Sequence, residues 1–240
     1  MLNKNIMSTN TRSFMNRVLP IFAIGFVFFV FQVSSASAQG NIINEVLMRM
    51  DAHNKALKSL RANVTKVDLN SQLGTSDTRE GKVAYRPAQG DPAVRIDWVS
   101  PNETLSVLNK KYVIYRPTLK QVYTGSTEGK QKDTRAGGAL AFINMSRAQL
   151  KANYDLVYIG QETVKGGVQT WHLQMTPKAR TSYKIADIWV DGNGMPVQSK
   201  VTEHNNDATT VLLSGLQKNV KVDGSEFIIK WPSGTKEIKG

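Results

Sequence analysis

Between residues 63 and 231 the chain divides into eleven or twelve segments of strand length, separated by turn chemistry. No other feature restricts the fold as much. The segments lie near 63–73, 80–86, 93–99, 104–109, 111–116 and 119–124, and after a break near 154–162, 167–175, 183–191, 196–204, 208–217 and 225–231. Asn109-Lys-Lys111, Gly166-Gly167, Asp191-Gly-Asn-Gly194, Asn205-Asn-Asp207 and Asp223-Gly224 supply the turns. Connections this short join antiparallel neighbours, because a parallel crossover needs a dozen residues or more. A sheet of so many strands must curl to bury its apolar face.

One helix precedes the strands. Ile43, Val46, Leu47, Met50, Leu57 and Leu60 recur at helical spacing from Asn41 to about Ala62, with Glu45, Arg49, Asp51, Lys55 and Lys58 largely opposite. The pattern predicts a helix over 42–61 lying against the concave side of the sheet. The sharpest strand pair follows it. Val83 and Tyr85 share one face, Val94, Ile96 and Trp98 share one face of the next segment, and Ala88-Gln-Gly-Asp-Pro92 turns between them. Arg86, directly before Pro87, sits at the lip of this hairpin. Its plainest reading is a solvated edge charge.

Residues 130–153 break the rhythm. Arg135-Ala-Gly-Gly138 precedes an apolar run, Ala139 to Met145, and Ser146-Arg-Ala-Gln149 has the capping-box pattern that starts a short helix. So apolar a segment must be covered on several sides. It is either a plug in the barrel mouth or a lid, about 135–153, hinged at Gly137 and Gly138.

The first 38 residues read as a signal peptide: Lys4, Arg12 and Arg17 without acidic residues, an apolar run from Val18 to Val33, and Ala36-Ser-Ala38 before Gln39. Without cysteine there is neither a lipid anchor nor a disulfide. The expectation is a soluble periplasmic protein of one domain, residues 39–240. Removing those three cations from 31 basic residues leaves 28 against 19 acidic ones, a net charge of +9. In an exported protein that charge suits anionic lipid surfaces or acidic proteins rather than nucleic acid.

The residues offer little to catalysis. His53, His172 and His204 lack metal-ligand spacing, and no thiol is available. Gly125-Ser-Thr-Glu-Gly-Lys130 is one residue short of a phosphate loop and lacks the following Ser/Thr. Asp187, Asp191 and Glu203 alternate with apolar residues, which is the pattern of solvated charge. The chain is therefore not expected to be an enzyme, and no metal or cofactor is expected.

In order along the chain, Glu80-Gly81 to Arg86-Pro87, Trp98 to Pro101, Glu103-Thr-Leu-Ser-Val107, Tyr112-Val-Ile-Tyr115, Leu140-Ala-Phe-Ile143, Met175-Thr-Pro-Lys178, Asp191-Gly192 and Pro232-Ser-Gly234 resemble the motifs of the LolA family. These are periplasmic carriers of outer-membrane lipoproteins, and the likeness runs from about 42 to 238. It implies a mainly β fold: an incomplete antiparallel β-barrel of about eleven strands, with N-terminal and mid-chain helices forming a lid over an apolar cavity. It implies non-covalent binding of lipoprotein acyl chains by a monomer. Cargo would come from an inner-membrane ABC transporter and go to an outer-membrane receptor.

By position, Arg86 resembles the family arginine that bonds lid backbone and latches the empty cavity. Alternation then offers Val83, Tyr85, Ile96, Trp98, Leu105, Val107, Val113, Tyr115, Leu140, Phe142, Ile143 and Met145 as cavity residues. A one-residue slip would invert any strand's set. The chain departs from the family pattern in a longer 87–98 connection and in Gly137-Gly138 where proline is frequent. Two other readings stay open: a carrier of another lipid, and a lipid-responsive periplasmic sensor of envelope stress. Such sensors resemble the same half-barrel but usually carry a second domain, and none is expected in this chain.

Overall fold

The computed structural model describes residues 35–87, 92–127, 142 and 145–240. A first helix, α1 (Ser35–Ala56), leads into β1 (Leu60–Asn70), β2 (Thr75–Arg86), β3 (Ala93–Trp98), β4 (Glu103–Leu108), β5 (Lys111–Arg116) and β6 (Gln121–Ser126). A short helix, here α2 (Arg147–Asn153), opens the second run: β7 (Tyr154–Val164), β8 (Val168–Pro177), β9 (Tyr183–Asp191), β10 (Pro196–Glu203) and β11 (Ala208–Lys218). A last strand, β12 (Lys236–Lys239), follows.

All twelve strands form one sheet in the order β12-β6-β5-β4-β3-β2-β1-β11-β10-β9-β8-β7. Each half is a run of hairpins, and β1 joins them by pairing with β2 on one side and β11 on the other. Because β12 and β7 are the two edges, the sheet stays open, an incomplete barrel as expected. The turn residues act as anticipated at Asn109 and Lys110, both at positive φ in the two-residue connection between β4 and β5.

Three features differ from the sequence reading. The helix stops at Ala56 rather than about Ala62, because Asn219, at the far end of β11, accepts from the Lys58 amide at 2.7 Å and donates to the Ala56 carbonyl at 3.3 Å. Leu60 then enters the sheet opposite Tyr85 and Lys218. The expected strand at 225–231 is instead a 3-10 turn, Gly224–Phe227, with a reciprocal Asp223–Glu226 cap. Finally, β12 pairs parallel with β6, so eleven strands are antiparallel neighbours and the twelfth is not.

The face on which α1 packs follows from its burial. Val46, Leu47 and Met50 join Leu173, Met175, Ala186, Ile188 and Val190 in one cluster. The β9–β10 turn fixes the helix there: Arg49 donates to the Gly192 carbonyl at 3.1 Å, and a side chain at Gly194 (φ +81°) would collide with the Arg49 carbonyl. No helix among the described residues is long and apolar enough to cross a membrane.

Candidate functional site

Directly opposed residues of an antiparallel pair share a face, so the register defines the inner surface strand by strand. Starting from Leu60, Ala62 and Val64 of β1, the pairs run to Tyr85, Val83 and Gly81 of β2 and on to Val94, Ile96 and Trp98 of β3. From there they reach Val107, Leu105 and Glu103 of β4, and Tyr112 and Ile114 of β5 oppose Val107 and Leu105. Val64 also opposes Leu213 of β11, which ties this surface to the face that α1 covers.

The inner surface is therefore laid out in rows. One row is Tyr85, Val94, Val107 and Tyr112; the next is Val83, Ile96, Leu105, Ile114 and Tyr123. These side chains belong to one apolar cluster or pack against it, Tyr123 excepted. The third row ends the apolar zone. It holds Gly81, Trp98 and Glu103, with Arg116 opposite Gln121 at its far side.

Gly81 is needed where it stands. A β-carbon there would lie 2.5 Å from the Asp97 carbonyl oxygen and 3.1 Å from the Trp98 ring, so only glycine lets β3 and the indole approach so closely. Above the indole, 5.0 Å from its centroid, sits the guanidinium of Arg79, two residues upstream on the same face. Glu103 holds both arginines, accepting from Arg79 at 3.4 Å and from Arg116 at 2.6 Å, and Arg116 lies 5.1 Å from the Tyr123 ring centroid. Hydrogen bonding to Glu103, opposed by burial, raises the pKa of Arg116 above its already high ordinary value.

The expected cavity residues divide accordingly. Val83, Tyr85, Ile96, Trp98, Leu105 and Val107 lie together on the inner face. Val113 and Tyr115 do not; they oppose Ser106 and Thr104 on the outer face, and Tyr112 and Ile114 take the inner positions. Phe142 is 2% exposed and meets Tyr154 and Tyr183 edge-on, at 6.1 and 6.5 Å between ring centroids. Met145 packs against the same cluster, and its carbonyl accepts from Asn54 of α1 at 3.5 Å. Leu140, Ile143, Gly137 and Gly138 lie outside the described residues.

The described part of the mid-chain segment is docked. Ser146 and Gln149 form the expected reciprocal cap, Leu150 is fully buried, the Arg147 amide donates to Asp51 of α1 at 2.8 Å, and Lys151 donates to Asn44 at 2.6 Å.

Arg86 points the other way from the inner face. It opposes Ala93 on the outer side, where Ala84, Ala93, Val222 and Phe227 form a separate cluster. Its guanidinium carbon is 5.8 Å from the Phe227 ring centroid and its terminal nitrogens border Gly224. Among the described residues its surroundings are this C-terminal strap and not the segment it was expected to latch; most of that segment, 138–141 and 143–144, lies outside the description. The strap is held further by Ser106, which donates to the Phe227 carbonyl at 2.5 Å, and by Arg95, which donates to the Glu226 carbonyl at 2.8 Å.

A polar group on the outer face escaped the sequence reading. His172, noted in the sequence only for lacking metal-ligand spacing, lies 2.8 Å from Glu162 and 2.9 Å from Asp187, and its ring stacks on Trp189 at 4.2 Å. Asp187, expected to be a solvated charge, is buried. Burial alone would lower the pKa of His172, but its hydrogen bonds to Asp187 and Glu162 outweigh that and raise it.

The model of the family described as outer membrane lipoprotein carrier protein LolA matches residues 55–230. Among curated proteins none matches. Among solved structures the fold resembles MucB, at 14% identity and TM-score 0.52 over 82% of this chain and 64% of that one. It also resembles an uncharacterized conserved protein from Thermus thermophilus, at 10% identity and TM-score 0.51 over 82% and 98%. The lipoprotein LppX from Mycobacterium tuberculosis is a third likeness, at 16% identity and TM-score 0.45 over 76% and 99%. Identities this low speak for the fold alone, but the family model spans most of the sequence, from the end of α1 to the strap. The chain belongs to the LolA family.

Proposed function

We propose that this protein is a periplasmic carrier that binds the acyl chains of lipoproteins on the inner face of its open sheet and ferries them from the inner to the outer membrane. Proteins of this fold family bind lipids or lipoproteins. The observation that carries the reading is the pair of apolar rows from Val83 to Ile114 and from Tyr85 to Tyr112, continuous across four strands and bordered by a charged row. Burying an acyl chain is worth about 0.8 kcal/mol per CH₂, so apolar contact alone supplies binding without any covalent step. An exposed apolar face of that size would invite aggregation, which is a reason for a carrier to keep these rows covered, and Val83, Tyr85, Ile96, Leu105 and Tyr112 are all buried. In this reading residues 1–38 direct export and are removed. Cargo arrives from an inner-membrane ABC transporter and leaves to an outer-membrane receptor.

Mass spectrometry of lipid extracted from the protein purified from its own periplasm tests the reading. Acylated lipoprotein is the expected occupant. Lipid without attached protein would replace it with a carrier of another lipid, and a consistently lipid-free protein would refute it. Ile114→Asp, which puts a charge in the middle row at a half-buried position, should weaken loading while the fold, followed by circular dichroism, persists.

A further inference from the structure

We infer that Arg79 and Arg116, at the charged end of the inner face, form a binding site for the anionic headgroup of the bound amphiphile, a phosphate or carboxylate at the polar end of its chains; this rests on the lipid-binding reading above. The layout of the inner face carries the inference. Rows in a strand recur every two residues, about 7 Å, so the charged row stands one step beyond Ile96, Leu105 and Ile114. An amphiphile whose chains lie along the apolar rows thus presents its polar end to Arg79, Trp98, Glu103 and Arg116.

Charge and hydrogen bonding are unbalanced there. Two guanidiniums share one carboxylate, which leaves an excess positive charge on the trio. The neighbouring carboxylate of Asp68 is already paired with Lys66, at 2.7 Å, and so does not compensate it. Arg79 is the less satisfied of the two. Its side chain is only 17% exposed, its bond to Glu103 is long at 3.4 Å, and its Nε is buried with no hydrogen-bond partner among the described residues. A guanidinium carries five donors and matches carboxylate and phosphate oxygens two at a time. Leaving such donors dry is costly, whereas an incoming anion satisfies them. Trp98 and Tyr123 place aromatic faces beside the two guanidiniums, which fixes their planes while leaving their edges free to donate. Glu103 then serves as the internal stand-in for the ligand: it orients both arginines in the empty site and competes with the headgroup for them.

The test uses two ligands that differ only in the anion, monopalmitoylglycerol and monopalmitoylglycerol 3-phosphate, each displacing the neutral dye Nile red from the purified protein. The phosphate should bind about tenfold tighter, the value of one charge-assisted hydrogen bond. Arg79→Gln or Arg116→Gln should bring that ratio toward one, and Glu103→Gln, which removes the competitor, should raise it. The opposite direction of the Glu103 effect guards against a mere loss of folding, which would lower both affinities together. Equal affinities in the unaltered protein overturn the headgroup site and leave the lipid reading standing; failure of both ligands to displace dye overturns both. Inorganic phosphate supplied beside the neutral lipid separates the sources. If inorganic phosphate at the same concentration as the tethered phosphate cancels the tenfold preference, the site takes free anions and the headgroup assignment falls.

Discussion

Phe227→Ala should loosen the C-terminal strap and measurably destabilise the whole sheet. The ring is 2% exposed, and it is the largest side chain of the outer cluster with Ala84, Ala93 and Val222. Truncating a buried phenylalanine costs about 3–5 kcal/mol, the transfer of the lost atoms plus the cavity they leave. The lower end applies here, because the cluster is one layer deep and the strap can settle toward Ala84 and Ala93. The bonds from Ser106 and Arg95 reach backbone carbonyls and survive the substitution, so the change isolates apolar packing. A loss of about 3 kcal/mol corresponds to a fall of about 6–12 °C in Tm for a chain of this size. With a urea slope of about 3 kcal/mol/M it moves the midpoint by about 1 M. Urea titration followed by tryptophan fluorescence reads the midpoint, and amide exchange reads β6, whose outer neighbour β12 depends on the strap. A midpoint shift below about 0.3 M, with β6 as protected as before, would refute the view that the strap is anchored by this ring.

Other outcomes follow from the same geometry. Arg86→Leu should cost about 0.5–1 kcal/mol, the value of a partly exposed cation–π contact with Phe227, and should leave dye uptake and release unaltered; impaired release with normal stability would restore the latch that its sequence position suggests. Gly81→Ala should destabilise by about 1–3 kcal/mol, since its β-carbon meets the Asp97 carbonyl at 2.5 Å and backbone cannot step aside as a side chain can; an unchanged Tm would show that β3 shifts freely. The stabilising effect of His172 should depend on pH. Its pKa is raised in the fold, so its contribution is complete below the ordinary imidazole value, about 6.5, and is lost as pH rises through the higher folded value. Urea midpoints from about pH 5 to 8.5 should show the protein gaining on His172→Gln toward the acid side, and a constant difference would refute it. Glu162 gives the opposite limb: hydrogen bonds from Trp189 and His172 lower its pKa, and that stabilisation disappears only as acid protonates the carboxylate.

Where the sequence was legible, short-range alternation and local capping made it so. Val83 and Tyr85, then Val94, Ile96 and Trp98, alternate in part, and each set reached the face that its pattern allowed. Ser146 and Gln149 specify their cap within four residues. In β5 the signal fails because Tyr112, Val113, Ile114 and Tyr115 are apolar in succession; the pairing of Leu105 with Ile114, a contact between strands, decides which two face inward. The strap fails for a related reason. Phe227-Ile-Ile reads as a strand locally, yet the outer surface of β2 to β4 offered Phe227 a buried place beside Ala84 and Ala93. Glu162, His172 and Asp187 meet only once three strands are in register, and so do Arg79, Glu103 and Arg116.

The gap between β7 and β12 sets a mechanical property of the sheet. In a closed barrel, strand number and stagger fix the radius, and enlarging it means breaking a ladder of hydrogen bonds. Here the two edges share no ladder, and the halves are joined through the single seam of β1 with β11. Changing the sheet's twist about that seam alters its curvature while every backbone pair stays intact. Among the described residues, side-chain packing of α1 and α2 on β7 to β9 resists such a change, and that packing is graded rather than all-or-none. A sheet built this way can widen or narrow by degrees, and its curvature is set by how its two edges are bridged.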